Sequence, residues 1–391
     1  MGLCNIIYAQ NVNIPDANFK AALISNLSIN TNADSVIQVS EAAAYTGTIN
    51  VTYLGISSII GIEAFKALTN LNCYGNSITS LDVSANTALT YFSCGSNALT
   101  SLDVSANTAL VGFSCDRNGL TSLNVSNNTA LTSLACSFNH LTSLDISANT
   151  NLFNLECFHN QLTSLNVALN TNLHNLYCFN NLLTNLNVST NVALLDIHCN
   201  DNLLTSLIVA SNTNLKYLDC SVNKMTSLDV SANTALISCV CSYNNLTSLN
   251  VKNGNNTNLT FDATNNLSLS CIQVDNANYS TTNWPTGKDA GANYSENCSV
   301  TGIATLNNEA SIEIYPNPTN GNFQISFIAG EEDNASINII NEHGQHIYNG
   351  SIQPMKNRYT STIDLSKESK GVYFIEIITG DKKSIQKIVL K

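Results

Sequence analysis

Apolar residues recur along most of this chain at a fixed long interval, not in the 3.6-residue rhythm of helices. Leu81, Leu102, Leu123, Leu144, Leu165, Leu186, Leu207, Leu228 and Leu249 stand 21 residues apart, and Cys73, Cys94, Cys115, Cys136, Cys157, Cys178, Cys199, Cys220 and Cys241 keep the same register. A third column, Asn76, Asn97, Asn118, Asn139, Asn160, Asn181, Asn202, Asn223 and Asn244, follows each cysteine. Such self-similarity marks stacked repeats. Within one unit, LTYFSCGSNALTSLDVSANT from Leu89 to Thr108, both halves alternate apolar and polar positions, in Phe92 and Cys94 and again in Leu102 and Val104. Period two predicts a short strand on each side of the coil and fits no helix. The expected object is a thin β solenoid of about nine turns, with a ladder on the order of 40 Å long at about 4.8 Å per strand.

The same unit contains L-x-x-L-x-L-x-x-N-x-L, with Phe92 and Cys94 in two apolar slots, and so resembles the leucine-rich repeat over residues 68–252. The asparagine column has a structural reason, because a tight turn beside the core leaves backbone groups that a buried amide can pair. The cysteine column reads as packed core thiols. Stacked neighbours have parallel Cβ vectors that disfavour disulfides, and ligands strung along one ladder cannot surround a metal ion.

Solenoid ends expose apolar core and unpaired edges, so caps are expected. In IPDANFKAALISN, Asp16 serves as a helix N-cap with Phe19 and Leu23 on one face, giving a short capping helix within an N-terminal cap at 10–67. Residues 253–298 form the expected C-terminal cap, holding Trp284 and the pair Cys271 and Cys298, which an exported protein would join as a disulfide. Residues 1–9, MGLCNIIYA, read as the tail of a secretory signal cleaved after Ala9. Residues 299–311 read as a linker.

Composition changes after that linker: eight of the chain's 15 basic residues lie between Ile312 and Lys391. Seven alternating segments, from SIEIY to SIQKIVL, predict a small immunoglobulin-like β-sandwich over 312–391. IEIYPNPTNGNF, then INIINEHGQHIY, SKGVYFIEI and a terminal KIVLK resemble, in order and spacing, the C-terminal sorting domain of the Bacteroidetes type IX secretion system. The motif residues are Tyr315, Pro316, Asn317, Pro318, Gly321, Gly371 and Tyr373. The resemblance implies export by that machinery to the outside of the cell, followed by release or surface attachment. Gly321 is expected to adopt a positive φ and Gly371 to start the last hairpin.

Charge narrows the function classes. The chain carries a formal net charge of -12 and no cluster of Lys or Arg, which removes the counterion-release term that nucleic-acid binding rests on. No apolar run of about 18 residues predicts a membrane-spanning helix.

Candidate chemistry emerges when the turns are compared with one another. The LTSLDVS side is nearly invariant, with threonine at the bend of every turn; a hydroxyl ladder of this kind resembles an ice-binding face, but its place at the bend favours backbone pairing. The opposite side varies: Glu156, Phe158 and His159 in one turn, then Tyr177 and Phe179, then Asp196, His198 and Asp201, then Tyr217 and Asp219. Exposed aromatics interleaved with carboxylates and histidines are what a recognition patch needs, against the alternative of drift on an unconstrained face. Asp196 and Asp219 sit in adjacent turns, the placement a glycosidase pair would need, but a smooth ladder offers no deep cleft. His159, His174 and His198 lack the spacing of metal ligands. No nucleophile motif, phosphate loop or dinucleotide fingerprint is present.

The expectation is therefore a non-catalytic, secreted or surface-attached binding protein without a cofactor or bound metal. It would meet the type IX machinery through its C-terminal domain and an extracellular protein or glycan through one solenoid face. The alternatives are a carbohydrate-active enzyme or its accessory subunit, and a structural surface-layer protein.

Overall fold

The computed structural model describes residues 10–298, 312–328, 335–341, 345–352, 358–379 and 382–391. The expected signal remnant and linker lie outside the described residues. The chain divides into two compact units, Met1–Asn297 and Cys298–Lys391.

The first unit opens on the helix Ala17–Ser25. Asp16 caps it by accepting the Phe19 N–H at 2.9 Å, and Phe19 and Leu23 are buried beneath it. The second oxygen of Asp16 accepts the Ser57 N–H and Oγ, each at 2.8 Å, tying the helix to the start of the solenoid. Eleven parallel three-residue strands follow in one sheet, from Thr48–Asn50 to Thr260–Asp262. The middle residue of each points into the core, as Leu134, Leu155, Leu176 and Ile197 do.

This ladder is longer than the nine-cysteine period implies, and it begins and ends inside the segments read as caps. The reason is local. Ile49 pairs with Leu71 and Cys239 with Phe261, each 22 residues away, and at these ends Val51 and Ala263 fill the cysteine slot. The coil continues while its cysteine signature stops.

The opposite side departs further from expectation. Strands form there only in the last four coils, at Ser227–Asp229, Ser248–Asn250, Cys271–Gln273 and Asn293–Ser295. In earlier turns a second asparagine column does the joining. Asn107 Nδ2 donates to Val83 O and Asn86 O of the preceding turn, both at 2.9 Å, and Asn128, Asn149, Asn170, Asn191, Asn212 and Asn233 repeat the pattern. Side-chain amides replace a backbone ladder on that face.

The first asparagine column works as the sequence suggests. Asn160 Nδ2 donates to Cys136 O of the preceding turn and to Cys157 O of its own, both at 3.1 Å, while its Oδ1 accepts the Leu141 N–H at 3.0 Å. All nine ladder cysteines, and Cys239, are buried and free. Cys271 and Cys298 are both disulfide-bonded. At this end Trp284 packs on Phe261 and Tyr294, with ring centroids 4.9 and 5.9 Å away, and donates Nε1–H to Leu259 O at 3.2 Å. An aromatic plug thereby covers the last coil.

The second unit is a small β-sandwich of two antiparallel sheets, one of three strands and one of four, around a core that includes Phe323, Ile325, Phe327, Ile339, Tyr359 and Ile375. Asn317 in the YPNP turn donates Nδ2–H to Lys387 O at 2.8 Å and accepts the Val389 N–H at 3.1 Å, fastening the turn to the terminal strand. Gly321 has φ of 119°, and a Cβ there would strike the Ser366 backbone. Gly371 begins the strand Gly371–Thr379, which pairs with Lys382–Leu390 as the last hairpin, and Tyr373 is buried in it.

Candidate functional site

The varied residues collect on the outer face of the long sheet and along its trailing edge. Glu156, Tyr177, His198 and Asp219 occupy one in-register row across four neighbouring strands, and Asp196 and Tyr217 pair in the parallel row two residues earlier. The row after the cysteines holds Phe158 and Phe179, whose rings stack at 4.3 Å. His159 and Asp201 fall on the next residue along, at the edge. The fold thus brings together all ten residues that turn-to-turn variation selects.

Their polar groups engage one another or polar neighbours on the same turn. The Tyr177 hydroxyl donates to Asp196 Oδ2 of the next turn at 2.8 Å, and Asp196 Oδ1 lies 3.1 Å from His198 Nε2 on the same strand. Partial burial, this hydrogen bond and the charges of Asp196 and Glu156 push the Tyr177 phenol up to about 12, so it remains a donor at neutral pH. Glu156 Oε1 accepts from Asn154 at 3.0 Å, and Asp219 Oδ1 accepts both the N–H and Oγ of Ser221, at 3.0 and 2.6 Å. These carboxylates are used to fix side chains. His174 stacks on Phe153 at 4.0 Å, His159 stacks on Phe138 at 4.3 Å, and His198 faces Asp196, so the three histidines serve separate contacts. Among the described residues no group of three or more His, Cys, Asp or Glu is placed to hold a metal ion.

Two residues that variation did not select belong to the face. The Arg117 guanidinium carbon lies 3.9 Å above the Phe138 ring, and Phe138 meets Phe158 edge-on at 5.5 Å, so the aromatic run starts a turn or more earlier. Their signal was available, since 117, 138 and 159 share the 21-residue register.

The backbone adds a property that no residue type announces. Ser96, Arg117, Phe138, His159, Asn180, Asp201, Val222, Tyr243 and Asn265 form a column with φ between 50° and 58°. Each turns the chain into the ladder asparagine beyond or beside it, and the N–H groups of Phe138 and His159 reach Phe158 O and Phe179 O of the next turn at 3.0 Å. The left-handed region suits Gly or Asn and costs other residues about 1–2 kcal/mol. The column nevertheless carries Arg, Phe, His, Val and Tyr. Val222 is β-branched and 43% exposed, so Val222→Asn is expected to stabilise the solenoid by about 0.5–1 kcal/mol, read as a higher urea midpoint.

The architecture is that of a leucine-rich-repeat solenoid. Over 98% of both chains it is similar to the functional domain of InlJ from Listeria monocytogenes, a protein described as including a cysteine ladder, at 26% identity and a TM-score of 0.55. An internalin C2 from Listeria monocytogenes str. 4b F2365 shares the fold at 19% identity and a TM-score of 0.50, over 55% of this chain and 98% of that one. No curated protein matches the chain. Residues 313–391 match the family described as the secretion system C-terminal sorting domain. That type IX sorting tail marks the protein for secretion or cell-surface attachment. Among the described residues no helix is long and apolar enough to cross a membrane.

Proposed function

We propose that this is a non-catalytic binding protein, exported through its C-terminal domain, that captures an extracellular protein on the sheet face running from Arg117 to Asp219. The observation that carries the reading is the left-handed column. Arg117, Phe138 and His159 occupy positions where Asn or Gly would be free of strain, and side chains held there at a cost in stability are explained by what they present to solvent. The rings support it: Arg117, Phe138, Phe158, His159 and Phe179 form a stacked ridge, rigid before any partner arrives, which lowers the ordering cost of binding. Tyr177, Asp196 and His198 lie beside it as a fixed polar strip that would orient the partner.

The test probes the full chain against an array of extracellular proteins and glycans, beside a Phe158→Ala, Tyr177→Ala, Phe179→Ala variant checked for folding. Loss of at least about tenfold in affinity for a captured protein is expected, since truncating one buried aromatic anchor costs about 2 kcal/mol. Undiminished capture by the variant would place the interface elsewhere. Capture of glycans alone would replace the protein partner by a glycan, cleavage of captured glycans would favour the carbohydrate-active alternative, and no capture at all a structural surface role.

A further inference from the structure

We propose that the N-terminal cap holds a calcium ion in the loop Asn30–Glu41, with Asn30, Asn32, Asp34, the carbonyl of Val36, Gln38 and Glu41 as its oxygen ligands. The loop lies between the helices Ala17–Ser25 and Val39–Ala44. Counted from Asn30, oxygen-bearing side chains stand at positions 1, 3, 5, 9 and 12, with glutamate last. This is the spacing by which a 12-residue helix-loop-helix segment surrounds calcium, the seventh position supplying its backbone carbonyl.

The side chains converge as the spacing requires. Asp34 Oδ2 accepts from Asn32 Nδ2 at 2.9 Å and from Gln38 Nε2 at 2.7 Å, and Asn32 Nδ2 also reaches Gln38 Oε1 at 3.1 Å. Glu41 folds back over the loop, its Oε1 accepting the Thr31 N–H at 2.8 Å and its Oε2 the Gln38 N–H at 3.0 Å. Backbone turning at Ala33, with φ of 58°, closes the loop. The independent observation is Asn30. It is 1% exposed, its Nδ2 donates to Ile24 O at 3.1 Å and across the loop to Asp34 O at 2.8 Å, and the Oδ1 of that same amide is buried and accepts no hydrogen bond. A buried carbonyl oxygen without a donor costs about 1–3 kcal/mol, and a cation at the first loop position would satisfy it. Rotation of the Asn32 and Gln38 amides then turns their oxygens toward the ion.

Two departures set the affinity. Asn30 stands where a carboxylate is usual, leaving Asp34 and Glu41 as the only charged ligands, and Ser35 stands where glycine usually makes the sharp turn. Low ligand charge points to the weak range of extracellular modules, about 0.1–1 mM, a concentration met outside cells.

Titration calorimetry of the full chain with calcium chloride is expected to show a saturable site in that range, binding about one ion per chain, which Asp34→Asn abolishes. The exposed Ser35→Gly variant is expected to tighten binding several-fold by freeing the sixth position to turn. Absence of saturable binding to the natural chain, or equal binding by Asp34→Asn, overturns the proposal. Should Asp34→Asn fail to fold, Ser35→Gly decides: tighter binding supports the site, and unchanged binding removes it.

Discussion

Raising the pH from about 8 to about 11 is expected to unfold the solenoid in one steep transition. Burial pushes the ladder thiols up: Cys73, Cys136 and Cys178 to about 12, and Cys94, Cys115, Cys157, Cys199, Cys220 and Cys241 well above the ordinary thiol value, the last chiefly through its contact with Cys239. Raised folded values mean that the stability these thiols contribute is complete below about pH 9. Above that, the unfolded chain releases protons that the folded chain retains, so stability falls until the folded values are reached. The slope depends on the number of thiols and not on how far each is shifted. Nine protons at about 1.4 kcal/mol per unit give about 12 kcal/mol of stability lost per pH unit, comparable to the whole stability of a typical domain. The midpoint is therefore expected near pH 10, at about one unit above the free thiol. Thiolate absorbance and far-UV circular dichroism, followed together, check this. Thiolates should appear only as the fold is lost, and a Cys136→Ala, Cys157→Ala, Cys178→Ala variant should show a shallower transition. Gradual titration near pH 9 with the β signal intact would show that the ladder is open to water.

How much of this was legible in the sequence differs between coil and face. The period came from Cys73 to Cys241 because nothing but a stacked core demands a buried thiol every 21 residues. Its limits were invisible for the same reason. Val51 and Ala263 serve the slot equally well, and the 22-residue coils that hold them break the count. The strands expected opposite the long sheet failed in most turns because alternation reports which side chains face the core, not which backbone groups pair. There Asn107 and its counterparts took the bonds instead. On the face, variation between turns found Phe158, Tyr177 and Asp196, and stopped short of Arg117 and Phe138. The left-handed column was beyond reach, since Phe138 or Val222 in that conformation contradicts its own residue preference, and only the bonds of the neighbouring turns impose it.

The two asparagine columns look alike in sequence, yet their removal is expected to cost very different amounts. Asn160→Ala leaves Cys136 O still paired with Asn139, and Cys157 O with Asn181, because each of these carbonyls takes amides from two turns. The Leu141 N–H has no such reserve: its bond to Asn160 Oδ1 is buried, and removing the acceptor leaves an orphaned donor. With the lost donor bonds, the cost is about 3–4 kcal/mol. Asn149→Ala creates a similar cavity, but Val125 O and Asn128 O keep their backbone donors, Asn128 N and Leu131 N. It also removes a buried Oδ1 that accepts nothing. The expected cost there is about 1–2 kcal/mol, since no group is newly orphaned. Trp284, the chain's single tryptophan, sits in the plug at the end of the solenoid and reports its unfolding by fluorescence in urea. Because each turn touches only its neighbours, Asn160→Ala should also weaken cooperativity, letting the stack part near its middle. Equal midpoint shifts for the two variants would mean that the Leu141 N–H finds another acceptor and that the first column is no more than spacing.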